Sequence, residues 1–320
     1  MPYPAISIVV PLFNEGQNIR LLHEAVSAAM KDADIVYELI CINDGSSDNT
    51  GHLLAELANE DSTVKVINFR RNYGQTAAMM AGFDYASHDV VVPMDGDLQN
   101  APADIPMLLD QLEKGFSVVS GWRKNRKDAA LKRNLPSRVA NWLISIISGV
   151  HLHDYGCTLK VYRKDVLEGV NLYGEMHRFV PIFASQQGGK VTEVVVHHNA
   201  RQFGESKYGM GRILKVILDL MVVKFLTDFH SKPIYVFGGF GLFCIGLSLF
   251  SGFYALYLRI FEATSFISTP LPLLVVMTFV VGILSFFLGL LAELLIRIYF
   301  EAQGKRAYYI SNVINIDNSN

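Results

Sequence analysis

Cysteine is scarce in this 320-residue chain: Cys41, Cys157 and Cys244 lie far apart and are odd in number. That excludes a disulfide framework and a Cys-rich zinc site, and fits a reducing compartment. Net charge is small as well, −2, with charged residues at 18%. The basic excess of a nucleic-acid binder is missing, and no nucleic-acid partner is expected. The opening residues, MPYPAISIVVPLFNE, have no basic n-region and no small-residue cleavage site, so no secretory signal is expected there. Neither G-x-x-x-x-G-K-[ST] nor G-x-G-x-x-G follows the first apolar run. This argues against a P-loop nucleotidase and a dinucleotide dehydrogenase. Internal repeats and low-complexity tracts are also absent.

Apolar residues are what the chain has in excess: 51% of the total, with mean hydropathy +0.27. That is too apolar for disorder and oily for a purely soluble protein. The excess is concentrated near the C-terminus. Pro233 to Leu258 gives 26 residues without Asp, Glu, Lys or Arg, and Ala263 to Ala292 gives 30 more. A membrane span needs about 20. Two transmembrane helices are expected, at about 233–258 and 271–295, with Pro270 and Pro272 marking the start of the second. Arg212, Lys215, Lys224 and Lys232 precede the first, and Arg297, Lys305 and Arg306 follow the second. The connecting loop holds only Arg259, balanced by Glu262. The positive-inside rule then places both chain ends in the cytoplasm. The expected organisation is a cytosolic domain at 1–210, a juxtamembrane interfacial helix at 211–232, the hairpin at 233–299 and a cytosolic tail at 300–320.

The first domain alternates continuous apolar runs (6–13, 37–44, 64–69, 90–95) with helical stretches (17–30, 48–59, 75–86), Asp48 and Asn49 being candidate N-caps. The alternation predicts an α/β fold, Rossmann-like, with a mostly parallel sheet covered on both faces. Ligands of such sheets bind beyond the carboxyl ends of the strands. There the sequence places Asn14 and Glu15, then Asp44, and then Asp95, Asp97 and Gln99. Two carboxylates one residue apart, as in Asp95-Gly96-Asp97, suit a hard divalent cation that keeps positions open for substrate phosphates. His151, His153, His197 and His198 are read as turn or structural residues, and Cys157 has no role in the expected chemistry.

Four segments, PLFNE (11–15), NDGSSDNT (43–50), RRNYGQTAAMMAGFDYA (70–86) and DGDLQNAP (95–102), resemble inverting family 2 glycosyltransferases of the GT-A fold. DYGCTLKVYRK (154–164), RQFGESKYG (201–209) and ELLIRIYFEAQGKRAYY (293–309) narrow the resemblance to the polyprenyl-phosphate glycosyltransferases. That group contains dolichol-phosphate mannose synthases and undecaprenyl-phosphate glucosyltransferases. The undecaprenyl-phosphate formamido-arabinose transferases look most similar. The likeness covers nearly the whole chain.

The resemblance implies that Pro11, Asn14, Glu15 and Asp44 line a nucleotide pocket and that Asn72, Gly74 and Gln75 border the base. Asp95, Asp97 and Gln99 would form the metal–diphosphate site, holding Mg²⁺ or Mn²⁺. The family pattern is D-A-D. Gly96 replaces the Ala here, which keeps both ligands and loosens the turn. Between Arg123 and Arg133 lie six basic residues against one acid. By resemblance Arg123, Arg133 and Ser137 would hold the acceptor phosphate, with Arg201 and Lys207 completing the clamp on the diphosphate or the acceptor side. Asp154 matches an acidic family position and is open between a site role and a structural loop.

Residues 136–150 fit an amphipathic helix, with Val139, Trp142, Leu143, Ile146, Ile147 and Val150 on one face and Arg138, Asn141, Ser145 and Ser148 on the other. It could lie in the membrane interface or pack on the sheet. Gly238, Gly239, Gly241 and Gly246 in the first span could support a homo-oligomer. The implied activity is inverting transfer from a nucleotide sugar, with UDP favoured, to polyprenyl phosphate, for cell-envelope glycan or lipid modification. It would act on the cytoplasmic face of a membrane, the bacterial inner membrane by resemblance. The alternatives are a processive polysaccharide synthase, which would bring more spans and a Q-x-x-R-W motif, a nucleotidyltransferase, which needs no hairpin, and a non-enzymatic membrane scaffold.

Overall fold

The uninterrupted apolar runs form strands because both faces of the sheet they build are covered. The computed structural model describes residues 3–124, 141–142, 144–146, 148–168, 170, 172, 176–199, 234–301 and 308–316, except for the side chains of 234–236, 293–294 and 296–301. Arg133, Ser137, Arg201, Lys207 and the 211–232 segment lie outside the described residues.

In chain order the α/β unit contains β1 (Ile6–Leu12), α1 (Ile19–Asp32), β2 (Tyr37–Asn43), α2 (Thr50–Glu60), β3 (Val64–Phe69), α3 (Gln75–Tyr85), β4 (Val90–Pro93), α4 (Ile105–Glu113), β5 (Val118–Trp122), β6 (Lys160–Arg163), α5 (Val180–Gln186) and β7 (Val191–Val195). The strand order is β7-β5-β6-β4-β1-β2-β3, and the sheet is extended at the β3 edge by an eighth strand, β8 (Ile310–Ile314). β1, β2, β3 and β4 pair in parallel, as do β5 and β7, whereas β6 and β8 run antiparallel to their neighbours. The sheet is therefore mostly parallel, as the strand–helix alternation predicts. The last strand is not part of that prediction: residues 310–314 are added to the sheet of the α/β unit rather than hanging from the second apolar helix.

Side chains alternate across the strands. Ile6, Ile8, Val10 and Leu12 of β1 join one core with Leu22, Val26 and Met30 of α1, Leu54 and Leu57 of α2, and Leu108, Leu109 and Leu112 of α4, all nearly inaccessible. Burial of each such side chain contributes roughly 1.5–3 kcal/mol. At the start of α2, Asn49 occupies the N-cap position without a side-chain capping bond. Asp48 does that work from one residue earlier: its Oδ1 accepts the Thr50 N–H at 3.0 Å and its Oδ2 accepts that of Gly16 at 3.3 Å.

The second unit is a pair of long helices, α6 (Ile234–Phe261) and α7 (Leu271–Glu301). Phe237–Phe261 and Leu271–Ala292 are long and apolar enough to cross a membrane. Little of them is buried, with Leu242 at 66% and Phe253 at 71% exposure, which is unlike a soluble core helix. The two helices touch through glycine: a Cβ at Gly241 would lie 2.8 Å from the Gly282 carbonyl oxygen. Ser248 Oγ donates to the Val275 carbonyl at 2.8 Å. Gly241, read from sequence as a self-association residue, is thus used inside the hairpin.

Candidate active site at the sheet edge

The carboxyl ends of β1 to β5 and β7 share one edge of the sheet. Because β6 and β8 run the other way, the residues that precede them, 154–159 and 308–309, reach that same edge. The loops there are held together by their own polar side chains. Asn14, in the left-handed region at φ 54°, accepts the Ser47 N–H on its Oδ1 at 2.8 Å and donates its own N–H to Ser46 Oγ at 3.0 Å. Glu15 donates its N–H to Thr50 Oγ1 at 3.0 Å and accepts from Asn18 Nδ2 at 2.6 Å. Asn14 therefore fastens two loops. Pro11 sits half-buried on β1 opposite Ile42.

Asp44 is 3% exposed. Its two carboxylate oxygens accept the N–H groups of Tyr73, at 2.7 Å, and Gly74, at 2.9 Å. Burial pushes its pKa up, and these two bonds only partly counter the shift. Each oxygen keeps a lone pair for a ligand donor. Gly45 follows at φ +64°, and a Cβ there would lie 2.3 Å from the Arg71 carbonyl carbon. Both backbone conformation and space require glycine. Gly45→Ala is expected to lose about 3 kcal/mol or more and to speed amide exchange of Tyr73 and Gly74. Urea unfolding and hydrogen-exchange mass spectrometry check this, and unchanged values in both would refute the clamp.

Asp95 and Asp97 follow β4. Asp95 Oδ1 accepts from Gln75 Nε2 at 2.9 Å and its Oδ2 from Thr158 Oγ1 at 2.8 Å. Asp97 is 6% exposed, and its Oδ1 accepts the Gln99 N–H at 3.1 Å. Gln75, which the resemblance sets beside the base, donates its amide to the Asp95 carboxylate. Asn72 is exposed on the adjoining loop. The glycine between the carboxylates does not loosen the turn. Gly96 is buried, and a Cβ there would meet Leu12 Cδ2 at 2.4 Å, so its smallness serves packing. The positive φ of this turn belongs to Leu98, at 61°. Two carboxylates one residue apart with fixed orientation match the donor set of a divalent cation shared with a diphosphate. Among the described residues no third His, Cys, Asp or Glu joins them.

Arg123 leaves the end of β5 and pairs with Asp154 through two bonds, Nε–Oδ2 at 2.7 Å and Nη2–Oδ1 at 3.0 Å. Burial opposes the guanidinium charge, but the carboxylates of Asp154 and, at longer range, Asp95 hold its pKa above the usual arginine value. Asp154 also accepts the Gly156 N–H at 3.1 Å. It thereby fixes both the arginine and the loop carrying Thr158.

Sequence reasoning missed Thr158 and Lys160. Lys160 is 2% exposed, and its ammonium donates to the carbonyls of Tyr155, at 3.3 Å, and Cys157. Burial lowers its pKa to about 8. The one available signal was a lysine inside an apolar strand run, TLKVY. The small space under this loop, about 10 Å³ and lined by Met79, Tyr162 and His177 among others, holds about one water and no nucleotide.

His153 and His197, read from sequence as structural, each pair with a carboxylate of the domain. His153 stacks on Trp122 with centroids 4.2 Å apart and pairs with Glu193. His197 donates its N–H to Asp104 Oδ2 at 2.6 Å and pairs with Oδ1 of the same carboxylate through Nδ1 at 2.7 Å. Cys157 is buried.

The described helical residues within 141–148 turn Asn141, Ile144, Ser145 and Ser148 toward the domain, with Ile144 buried. Their polar side is pinned to the domain: Asn141 Nδ2 donates to the His153 carbonyl at 2.7 Å, Ser145 Oγ to that of Leu152 at 3.3 Å, and Ser148 Oγ meets Tyr155 Oη at 3.2 Å. Trp142 and Ile146 face outward, at 63% and 55% exposure.

The family model described as Glycosyl transferase family 2 matches residues 7–170. The dodecaprenyl-phosphate galacturonate synthase of Rhizobium johnstonii is 38% identical over 97% of this chain and 93% of its own length. The undecaprenyl-phosphate 4-deoxy-4-formamido-L-arabinose transferase of Pseudomonas fluorescens is 36% identical over 98% of this chain and 91% of its own. Among solved structures, Mycobacterium tuberculosis glucosyl-3-phosphoglycerate synthase with Mn²⁺, UDP and phosphoglyceric acid superposes with a TM-score of 0.54. It is 17% identical and is matched over 69% of this chain and 78% of that one. At that identity the likeness shows the fold alone.

Proposed function

The chain belongs to glycosyl transferase family 2, and on that premise we propose that it moves a sugar from a nucleotide sugar, a UDP-sugar, to a polyprenyl phosphate. The observation that carries this reading is the pairing of Asp95 and Asp97 at the end of β4, oriented by Gln75, Thr158 and the Gln99 N–H, in a chain that also carries two helices long and apolar enough to cross a membrane. The sequence relatives named above act on dodecaprenyl and undecaprenyl phosphates according to their names. Solved structures of this fold hold Mn²⁺ with UDP or a UDP-sugar.

Asp95 and Asp97 would hold Mg²⁺ or Mn²⁺, with Gln99 beside them. A bound divalent cation neutralises charge gathering on the departing diphosphate. Asp44 fixes the 73–74 backbone beside the base, and its spare lone pairs suit base or ribose donors. Arg123, locked by Asp154, brings positive charge to the acceptor-phosphate end. Arg133, Ser137 and Arg201 complete the acceptor-phosphate clamp in this reading, with Lys207 on the diphosphate. An oxygen of the polyprenyl phosphate attacks the anomeric carbon, the bond to the diphosphate breaks, and the nucleoside diphosphate leaves with that electron pair. The configuration inverts. A phosphate monoester is already anionic near neutrality, its second pKa being about 6, so no side chain has to act as a strong base. The test is a partition assay in detergent with polyprenyl phosphate and a panel of labelled UDP-sugars, uronic acids and formamido-pentoses included. Metal-dependent transfer of label to the organic phase supports the reading. Label that stays aqueous with every donor, while UDP still binds, returns the synthase and nucleotidyltransferase readings.

The membrane is part of the same proposal. β8 lies in the sheet that contains β1, so the chain leaves the α/β unit before α6 and re-enters it after α7. A two-span hairpin satisfies that connectivity, and the flanking basic residues put the catalytic unit on the cytoplasmic face. The outward Trp142 and Ile146 suit insertion at the headgroup level, where amphipathic helices lodge their apolar face. Ile146→Asp is expected to cut kcat/KM for the lipid acceptor about tenfold while leaving UDP affinity intact. In a Trp122→Phe background, brominated lipids should quench Trp142 fluorescence. Full acceptor kinetics and unquenched emission together would remove the helix from the membrane. Gly239 and Gly246, with open space where a Cβ would stand, offer α6 a close surface for a second copy of the chain.

A further inference from the structure

The segment connecting β3 to α3, residues 70–74, carries the two N–H groups that hold Asp44. Its own sequence does little to order it. Arg71 and Asn72 are exposed, and Gly74 adopts φ 92°. On one side it rests on Gly45. On the other it is held by residues about 240 positions later in the chain.

β8 enters the sheet antiparallel to β3, so its first residues arrive where β3 ends, and Phe69 pairs with Ile310 across a register shift at Asn68/Phe69. Such irregularities re-aim the chain at a sheet edge. The Arg70 N–H donates to the Tyr309 carbonyl at 3.1 Å, and Arg70 Nε to that of Ile310 at 3.3 Å. Tyr308 stacks on Phe69, with centroids 5.0 Å apart and planes 19° apart, and its hydroxyl donates to Asp84 Oδ2 of α3 at 2.6 Å. It therefore ties together the two elements the loop connects. Tyr73 packs edge-on to Phe69 at 5.6 Å and lies 6.4 Å from the Tyr309 ring, with the Arg71 guanidinium 4.8 Å above its own ring. At the far end of the strand, Asn315 Nδ2 donates to the carbonyls of Ala58, at 2.6 Å, and Val64, at 3.0 Å.

We propose that residues 308–310 form a strap that positions the nucleotide pocket, setting the 70–74 loop so that its N–H groups present Asp44 to the base and ribose. This rests on the nucleotide-binding reading of that edge. The strap touches neither Asp95 nor Asp97 in any described contact, so it acts through the loop, and Tyr308 and Tyr309 are positioning residues. A loop that is competent only part of the time weakens nucleotide binding by the competent fraction and leaves the bound complex unchanged. The signature is therefore a change in affinity without a change in turnover.

Tyr309 is the better site to test, because it is 66% exposed and its loss leaves the sheet and core in place. The experiment uses the full chain in lipid nanodiscs and compares wild type, Tyr309→Ala, Tyr309→Phe and Tyr308→Ala. UDP affinity, donor KM, kcat, melting temperature and hydrogen exchange of peptides covering 70–76 are measured. The expected result for Tyr309→Ala is faster exchange at 70–76 and about a fivefold rise in UDP Kd and donor KM. Its kcat and melting temperature stay unchanged, and Tyr309→Phe restores wild-type values. Tyr308→Ala should show a larger rise in Kd. Unchanged Kd and exchange in both alanine variants would overturn the strap while the nucleotide reading stands. So would losses of kcat and melting temperature without a change in Kd. If the wild-type protein binds neither UDP nor another nucleoside diphosphate, the pocket reading fails and the strap fails with it.

Discussion

Asp95→Asn or Asp97→Asn is expected to lower sugar transfer by at least about a thousandfold, and removal of divalent cations with EDTA should reproduce the loss in the wild type. Asp95 is surrounded by donors, Gln75 Nε2 on one oxygen and Thr158 Oγ1 on the other. An asparagine would keep one acceptor and turn a donor toward a donor, so this variant loses both cation affinity and local order. In Asp97→Asn the Gln99 N–H can still find the amide oxygen. Labelled-product partition measures transfer, and thermal melting separates chemistry from folding. If Asp97→Asn keeps a tenth of wild-type transfer with a normal melt, the metal–diphosphate site lies elsewhere.

Asp154→Ala should be the most destabilising single change in the site. It strands the Arg123 guanidinium, whose side chain is only 11% exposed, and breaking a buried pair from one side costs about 3–5 kcal/mol. For a domain of this size that lowers the melting temperature by about 10 °C. Asp154→Leu combined with Arg123→Met removes both charges and should recover much of the stability, because two apolar side chains tolerate the same burial. Transfer should not recover, since the charge that Arg123 brings to the acceptor-phosphate end is gone. A stable double variant with normal transfer would assign the pair to folding alone.

Much of this site is written in short stretches of sequence. A strand buried on both faces must be apolar throughout, so the runs at 6–12, 37–43, 64–69 and 90–93 are visible without structure, and so are the carboxylates that follow them. The two long apolar helices are visible for a related reason, since a helix fit to cross a membrane tolerates almost no charge for some twenty residues. The DGD turn and the basic run after Arg123 are equally local. The resemblance to polyprenyl-phosphate transferases rests on these same segments, and the relatives at 36–38% identity agree with it.

The pairings are different. Arg123 with Asp154, Gln75 and Thr158 with Asp95, and Tyr308 with Phe69 and Asp84 join residues from 20 to more than 200 positions apart. The spacing of residues along a chain carries no information on which loops share a sheet edge. The 136–150 stretch shows the same limit: its period is that of an amphipathic helix, but period alone does not say which face turns inward. The hydrogen-bonded side chains of Asn141, Ser145 and Ser148, together with the buried Ile144, decide which side packs on the domain. Gly96 was legible as permissive backbone, yet it is small because Leu12 stands against it. The amino-acid sequence by itself determined the strand–helix alternation, the acidic strand ends and the two apolar spans, because each follows from local pattern and solvent preference. Only the tertiary structure decided which carboxylates are buckled, which is paired with arginine and what the last strand holds in place, because those depend on antiparallel strands delivering distant residues to one edge.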